Sequence, residues 1–226
     1  MVIDHIDAIW SHHALGKMFF VGRATFPLFC YAVAIAVVKA HARSADETKK
    51  TIRRYIARLL VLAVVAEPFY LFALHEYRAN VIFTLTAGIF FADLSYRIKP
   101  WQMYALYTIA IVSMLWALPM EFGLAGVVVP AAVLQVMHGN KRALPFLLVL
   151  LMVMNAGGIH LLFHASPAAW EYAVVTGLFC IILPWLVLDV ARKMPQKKRF
   201  LPKYALHVFY PGHMVILRLI WMAMHR

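Results

Sequence analysis

The stretch FFVGRATFPLFCYAVAIAVV, residues 19–38, decides how this chain is read. It has the length and composition of a membrane span, which takes roughly 20 residues at 1.5 Å each, but one residue breaks the pattern. An arginine facing lipid costs several kcal/mol, roughly 2.5 or more, yet Arg23 lies inside the run. Gly22 and Ala24 flank it and leave room for a neighbouring helix to come close. Pro27, four residues on, has no N–H to give to the Arg23 carbonyl. The arginine is therefore expected in a packed, polar place inside a bundle.

The rest of the chain points to such a bundle. Of the 226 residues 64% are hydrophobic and 14% charged, and the mean hydropathy is +0.76. That apolar area far exceeds what one soluble core of this length buries. The expected fold class is all-α: a polytopic integral membrane bundle of about eight transmembrane helices, forming a single transmembrane domain over residues 1–226. The expected spans are 18–38, 59–74, 80–96, 102–118, 124–138, 144–163, 171–188 and 204–223. The fifth holds Pro130, and a tilted or partly re-entrant segment is the alternative there.

Lysine and arginine set the orientation. The breaks at 39–58, 97–101, 139–143 and 189–203 hold seventeen of the 22 basic residues; the opposite breaks hold Lys17, Arg78 and Arg226, while Arg23 and Arg218 lie within spans. This is a strong positive-inside signal. It puts the basic loops 39–58 and 189–203 on the inner face, with an even number of spans and both termini outside. The net charge of +12 then needs no nucleic acid partner, because the basic residues sit at membrane edges without a soluble fold to display them.

Cys30 and Cys180 fall inside spans, where a free thiol behaves as a small apolar residue, and no disulfide is expected. No signal peptide with a small-residue cleavage site is expected ahead of the first span. No transporter-type repeat stands out, and there is no Walker-type or GxGxxG loop. No His/Cys cluster has zinc spacing, so no metal is expected.

The informative residues are polar ones where lipid is expected. MVIDHID places Asp4 beside His5, LAVVAEPFYLF places Glu67 within the second span, and RANVIFTLTAGIFF opens the third with Asn80, Thr84 and Thr86. Asp93 lies late in that span, close enough to the inner face to be wetted. HVFYPGHMVILRLIW carries His207, Tyr210, His213 and Arg218, and Pro211-Gly212 is expected to break the helix beside His213. Unwound backbone at membrane depth is tolerated only where it lines a cavity or is buried in protein. Each residue also has a plain structural reading. Arg23 and Glu67 can form a buried pair that neutralises both charges. His5 can be interfacial, like His12 and His13, Asn80 can be an N-cap, His207 can be interfacial, and Arg218 can snorkel. Acid–His, Arg, Glu, Asn and His in separate spans are harder to explain as scattered polarity.

Taken in order, IDHID, FVGRATFPLF, the basic inner loop, RLLVLAVVAEPFY, NVIFTLTAGI, EFGLAGVVVP and HVFYPGHMVIL resemble the motifs of the TraX family, from Asp4 to about residue 218. GRATFPLF and FYPGH are the most specific pieces. Family members usually carry a full span before the Asp-His pair, where Met1, Val2 and Ile3 precede it here. The resemblance implies a multi-pass protein of the bacterial inner membrane that serves conjugation and N-acetylates F-type pilin. It is similar to transmembrane acyltransferases that move acetyl groups from cytosolic coenzyme A. The implied partners are a pilin subunit, coenzyme A and membrane lipids, with acetyl-CoA as acyl donor.

Acetyl transfer from a thioester needs a base for the acceptor's proton, donors for the oxyanion, and a site that positions both substrates. His5 is the natural base, its ordinary pKa of about 6.5 lying near neutrality. Asp4 and Asp7 are candidates to orient it, and His213 is the rival base. Arg23, Asn80 and Tyr210 are candidate donors to substrate, with Glu67 holding Arg23. Arg54 and Arg58, at i and i+4 in the amphipathic TKKTIRRYIARLL, are candidates to meet coenzyme A phosphates. The charge count gathers His5, Arg23, Glu67, Asn80 and His213 into one expected cavity between midplane and outer leaflet. Direct transfer and a transient acetyl-histidine both fit. Other classes stay open: a surface glycan or lipid acceptor, a transporter whose midplane cavity needs the same residues, or an assembly factor that only holds pilin.

Overall fold

The computed structural model describes residues 2–10, 22–75, 78–114, 122–155, 167–193, 202 and 205–225, apart from the side chains of residues 4, 7, 168, 169, 191, 192 and 206. Every regular element among them is an α-helix: α1 Val2–Trp10, α2 Thr25–His41, α3 Ala45–Leu74, α4 Val81–Leu94, α5 Pro100–Ser113, α6 Gly123–Met137, α7 Ala143–Asn155, α8 Pro167–Lys193 and α9 Ala205–Met224. Among the described residues, each of the eight apolar segments holds a helix, α2 to α9 in order. Two, Ala45–Leu74 and Trp170–Val190 within α8, are long and apolar enough to cross a membrane. Val61, Val64, Val65 and Phe72 of α3 and Ile182 and Leu186 of α8 lie exposed, an apolar surface of the kind that associates with a membrane.

α3 begins well before its apolar run. Ser44 caps it, its hydroxyl oxygen accepting from the Glu47 N–H at 3.4 Å, and Asp46 and Glu47 occupy the first turn, where the helix dipole favours acid. Residues 45–58 contain neither Gly nor Pro to stop it. Most of the expected loop 39–58 is therefore helix, and α8 likewise runs through Lys193 into the expected loop 189–203.

The larger core is built around α6, which packs on α2, α4, α5 and α7. Ala125, Val129, Ala131 and Ala132 of α6 are fully buried, and the helix runs unbroken through Pro130. Residues Gly123–Met137 form one continuous helix at the centre of the larger core. A Cβ added at Gly88 of α4 would lie 2.8 Å from Pro130 Cγ, and one at Gly126 would lie 2.9 Å from Thr84 Cγ2. The small residues that weaken this stretch as a lipid-facing span let α4 and α6 pack closely.

A second core joins α1, α3 and α9. Ala63, Ala66, Tyr70 and Ala73 form a stripe at three- and four-residue spacing on α3, against Tyr210, Met214 and Leu217 of α9 and Ile9 of α1. Here the expected break at Pro211-Gly212 is corrected, since α9 continues through it. Proline removes one N–H bond, and the buried stripe on α3 holds the turns to either side.

Polar contacts tie the helix ends together. At the basic end His41 meets Asp93, Tyr96 meets His138 and Tyr104 meets Asn140, joining the α2/α3, α4/α5 and α6/α7 junctions. At the far end Arg218 donates to His75 Nε2 at 2.6 Å, and Trp10 Nε1 donates to the Leu217 carbonyl at 3.3 Å.

Candidate functional site

α1 carries Val2, Ile6 and Ile9 into the second core, an i, i+4, i+7 stripe. This brings His5 to His213, both buried. His5 Nδ1 lies 2.7 Å from His213 Nε2, and the rings stack with centroids 4.9 Å apart at 13°. His213 Nδ1 lies 2.7 Å from the Phe209 carbonyl oxygen, one turn back. A carbonyl only accepts, so the bonding network assigns the His213 proton to Nδ1 and leaves Nε2 as an acceptor. His5 must then donate from Nδ1. The lone pair not used within the pair is that of His5 Nε2. The Tyr210 ring stands edge-on to both, 6.4 Å from His5 and 6.0 Å from His213 by centroid. α1 lies ahead of the first apolar segment, and burial, with His213 beside it, lowers the His5 pKa to about 3, so it is neutral at physiological pH. The Asp4 and Asp7 side chains lie outside the described residues.

Glu67 and Asn80 form a second pair. Glu67 Oε2 accepts from Asn80 Nδ2 at 2.6 Å and from the Asn80 backbone N–H at 3.1 Å. The second Nδ2 proton goes to the Ala63 carbonyl at 2.9 Å, while Oδ1 accepts from the Ile82 N–H at 3.0 Å. Asn80 is thus the N-cap of α4. Its amide protons are spent, leaving none for a thioester oxygen in this arrangement. Glu67 lies on α3 between Ala66 and Tyr70, which pack in one cluster with Tyr210 and Met214 of α9.

Arg23 contacts Phe122 and Cys180. Among the described residues no ion pair joins it to Glu67, which corrects the expected pairing. Its guanidinium stands 6.0 Å from the Phe122 ring centroid, and its carbonyl accepts from the Cys180 thiol at 3.7 Å. That carbonyl is the one Pro27 leaves without a helix partner. Cys30 and Cys180 are buried free thiols.

Arg54 lines a cleft of about 460 Å³ and Arg58 a groove of about 680 Å³ near the start of α3; His207 also lines the groove. Arg218 bonds His75 and stands 4.4 Å from the Trp221 ring centroid.

Sequence reasoning overlooked a polar network at the basic end. Asp93 is buried and not merely wetted: its two oxygens meet His41 Nε2 and an Arg97 guanidinium nitrogen, each at 2.8 Å. Tyr96 stacks on His41 at 3.7 Å and reaches His138 Nε2 at 3.3 Å. The signal was present in His41 and His138, each at the C-terminal end of an apolar helix.

The fold and site define a membrane-associated helical bundle with a buried, hydrogen-bonded histidine pair between its first and last helices. The chain belongs to the TraX family: the family model described as TraX protein matches residues 1–221. No curated protein and no solved structure matches it.

Proposed function

We propose that this protein is a multi-pass acyltransferase of the bacterial inner membrane, which moves the acetyl group of cytosolic acetyl-CoA onto the N-terminus of a conjugative pilin. The reading is carried by the histidine pair. Two buried rings, 2.7 Å apart and anchored on a backbone carbonyl, leave one ring nitrogen, His5 Nε2, with a lone pair not used within the pair, and proton transfer from the attacking amine needs such an acceptor. Family membership supports a pilin-related role. The tying together of alternate helix junctions at the basic end supports a multi-pass arrangement with that end in the cytosol and the histidine seam towards the outer half.

In the proposed step the pilin amine attacks the thioester carbonyl carbon, and His5 Nε2 takes the proton released from nitrogen. The C–S bond breaks as the oxyanion collapses, and coenzyme A leaves with its sulfur protonated from His5. His213 keeps His5 in the correct tautomer and shares the positive charge through its own bond to Phe209 O. Tyr210, whose ring stands edge-on to both histidines, is assigned to the oxyanion. Glu67 uses one carboxylate oxygen on Asn80, and the other is assigned to orient the incoming amine. The Arg23 carbonyl is assigned to tying the turn ahead of α2 to Cys180 of α8.

The test is intact mass spectrometry of pilin coexpressed with the wild-type protein or with His5→Ala or His213→Ala. Loss of the acetylated species in both variants is expected. Full acetylation in both would remove the histidine pair from the reaction.

A further inference from the structure

The histidine pair leaves unused the groove of about 680 Å³ in the basic half of the bundle. Four helices contribute to it. α2 and α3 form its sides, Leu85 and Ile89 of α4 form its floor, and His207 of α9 also lines it. Both floor residues are buried, whereas Phe29 and Ala32 on the α2 side are exposed. The groove therefore opens sideways, between α2 and α3.

Its depth agrees from helix to helix. On α2 it runs from Ala36 to Phe29, three to ten residues from Lys39, or about 5–15 Å. On α4 it runs from Ile89 to Leu85, four to eight residues from Asp93, or about 6–12 Å. Lys39 and Asp93 stand at the basic ends of these helices, so most of the groove lies at acyl-chain depth. On α3 Tyr55 and Arg58 line it, and from Leu59 to Leu74 Glu67 is the only charged residue. Arg58 is thus the last cation before the apolar run, and Tyr55 is an aromatic of the kind that favours the membrane interface.

Arg58 is exposed, and among the described residues no carboxylate pairs with it. The nearest acids along α3 are Glu47, eleven residues behind it, and Glu67, nine ahead, about 16 and 14 Å away along the axis. Glu67 is already engaged with Asn80. A cation at the interface, on the edge of an apolar groove and clear of the acids of its own helix, matches a phosphodiester that carries net negative charge and is joined to acyl chains. We propose that the groove binds one anionic phospholipid of the cytosolic leaflet, with its phosphate on Arg58 and an acyl chain between α2 and α3 over Leu85 and Ile89. A zwitterionic headgroup brings its own ammonium to the same place, where Arg58 and Arg54, one turn back, repel it. The site rests on the orientation read from the basic loops and is independent of acetyl transfer.

The test uses the full chain in detergent, titrated with phosphatidylglycerol or phosphatidylcholine of matched acyl chains and read by native mass spectrometry. The wild-type protein should retain one phosphatidylglycerol, with a preference over phosphatidylcholine of about tenfold or more, the scale of a charge-assisted hydrogen bond. Arg58→Gln should remove most of that preference. Arg142→Gln, which alters an exposed cation of the basic end outside the groove, should leave it intact. Ala32→Phe fills the groove from its exposed α2 side and should lower retention of phosphatidylglycerol. Arg58→Gln changes an exposed side chain, so its result stands even where Ala32→Phe disturbs packing. Equal retention of the two lipids by the wild-type protein, or a preference lost equally in Arg58→Gln and Arg142→Gln, would leave only ordinary lipid at a basic membrane edge and overturn the site. If Ala32→Phe keeps phosphatidylglycerol and instead loses self-association or retention of coexpressed pilin, the groove docks a protein and the proposal is overturned. In each of these cases the acyltransferase reading stands, because its own test weighs pilin.

Discussion

His5 Nδ1 donates to His213 Nε2 across 2.7 Å, and His213 Nδ1 donates to the Phe209 carbonyl at the same distance. The direction of these bonds separates the roles of two histidines that the sequence leaves as rivals. His5→Ala is expected to lower the initial rate of pilin acetylation by roughly 10²- to 10⁴-fold, the scale of a general base. His213→Gln, which keeps an acceptor for the His5 Nδ1–H, is expected to cost less. Equal losses in time-resolved intact-mass measurements would place the base on both rings or on neither.

The burial of His5 also gives stability a pH dependence. Its folded pKa of about 3 lies below the ordinary histidine value of about 6.5, so between these values the unfolded chain holds a proton that the folded chain does not. Stability from this group is complete above pH 6.5 and is lost as pH falls towards 3, amounting to roughly 2 kcal/mol by pH 5. The melting temperature of detergent-purified protein should drop on acidification from about pH 7 to about pH 5. His5→Asn should flatten that slope, and an unchanged slope would assign it to other groups.

Asn80 both caps α4 and holds Glu67. Asn80→Ala should therefore cost more than a lost cap, which is worth about 1 kcal/mol. Thermal unfolding of Asn80→Ala, Glu67→Gln and the double variant would give a coupling energy of about 1 kcal/mol or more if the pair acts as a unit. Simple additivity would reduce Asn80 to a cap.

Two glycines should respond in opposite directions. Gly88→Ala drives a Cβ to 2.8 Å from Pro130 Cγ at the α4–α6 contact and should destabilise by about 1–3 kcal/mol. At Gly212 an added Cβ meets nothing within 4 Å. Gly212→Ala inside α9 should be neutral or stabilising by up to about 1 kcal/mol. Comparing melting temperatures of the two variants checks this, and destabilisation by Gly212→Ala would show that α9 needs to bend there.

The helices were legible because an apolar run of sufficient length, broken by charge, has few other ways to satisfy its backbone. All eight segments hold helices, and the chemically informative positions His5, Glu67, Asn80, Tyr210 and His213 were visible as polarity out of place. The freed Arg23 carbonyl was also readable from Pro27, and the Cys180 thiol uses it. The continuity of α9 and the central place of α6 were not readable. Proline and glycine signal a break by local propensity, and tertiary packing overrode both.

By itself the sequence determined that this chain is a helical bundle suited to a membrane, which end of it is basic, and which residues are too polar for lipid. Only the tertiary structure decided their company: His5 with His213, Glu67 with Asn80, and Arg23 with Phe122 and Cys180. The physical reason is that lipid-facing and protein-facing sides of such helices are both apolar, so periodicity reveals a helix without revealing its neighbour. The direction of the bonds from His5 to His213 to Phe209 depends on a backbone carbonyl, a group that every residue carries and no sequence distinguishes.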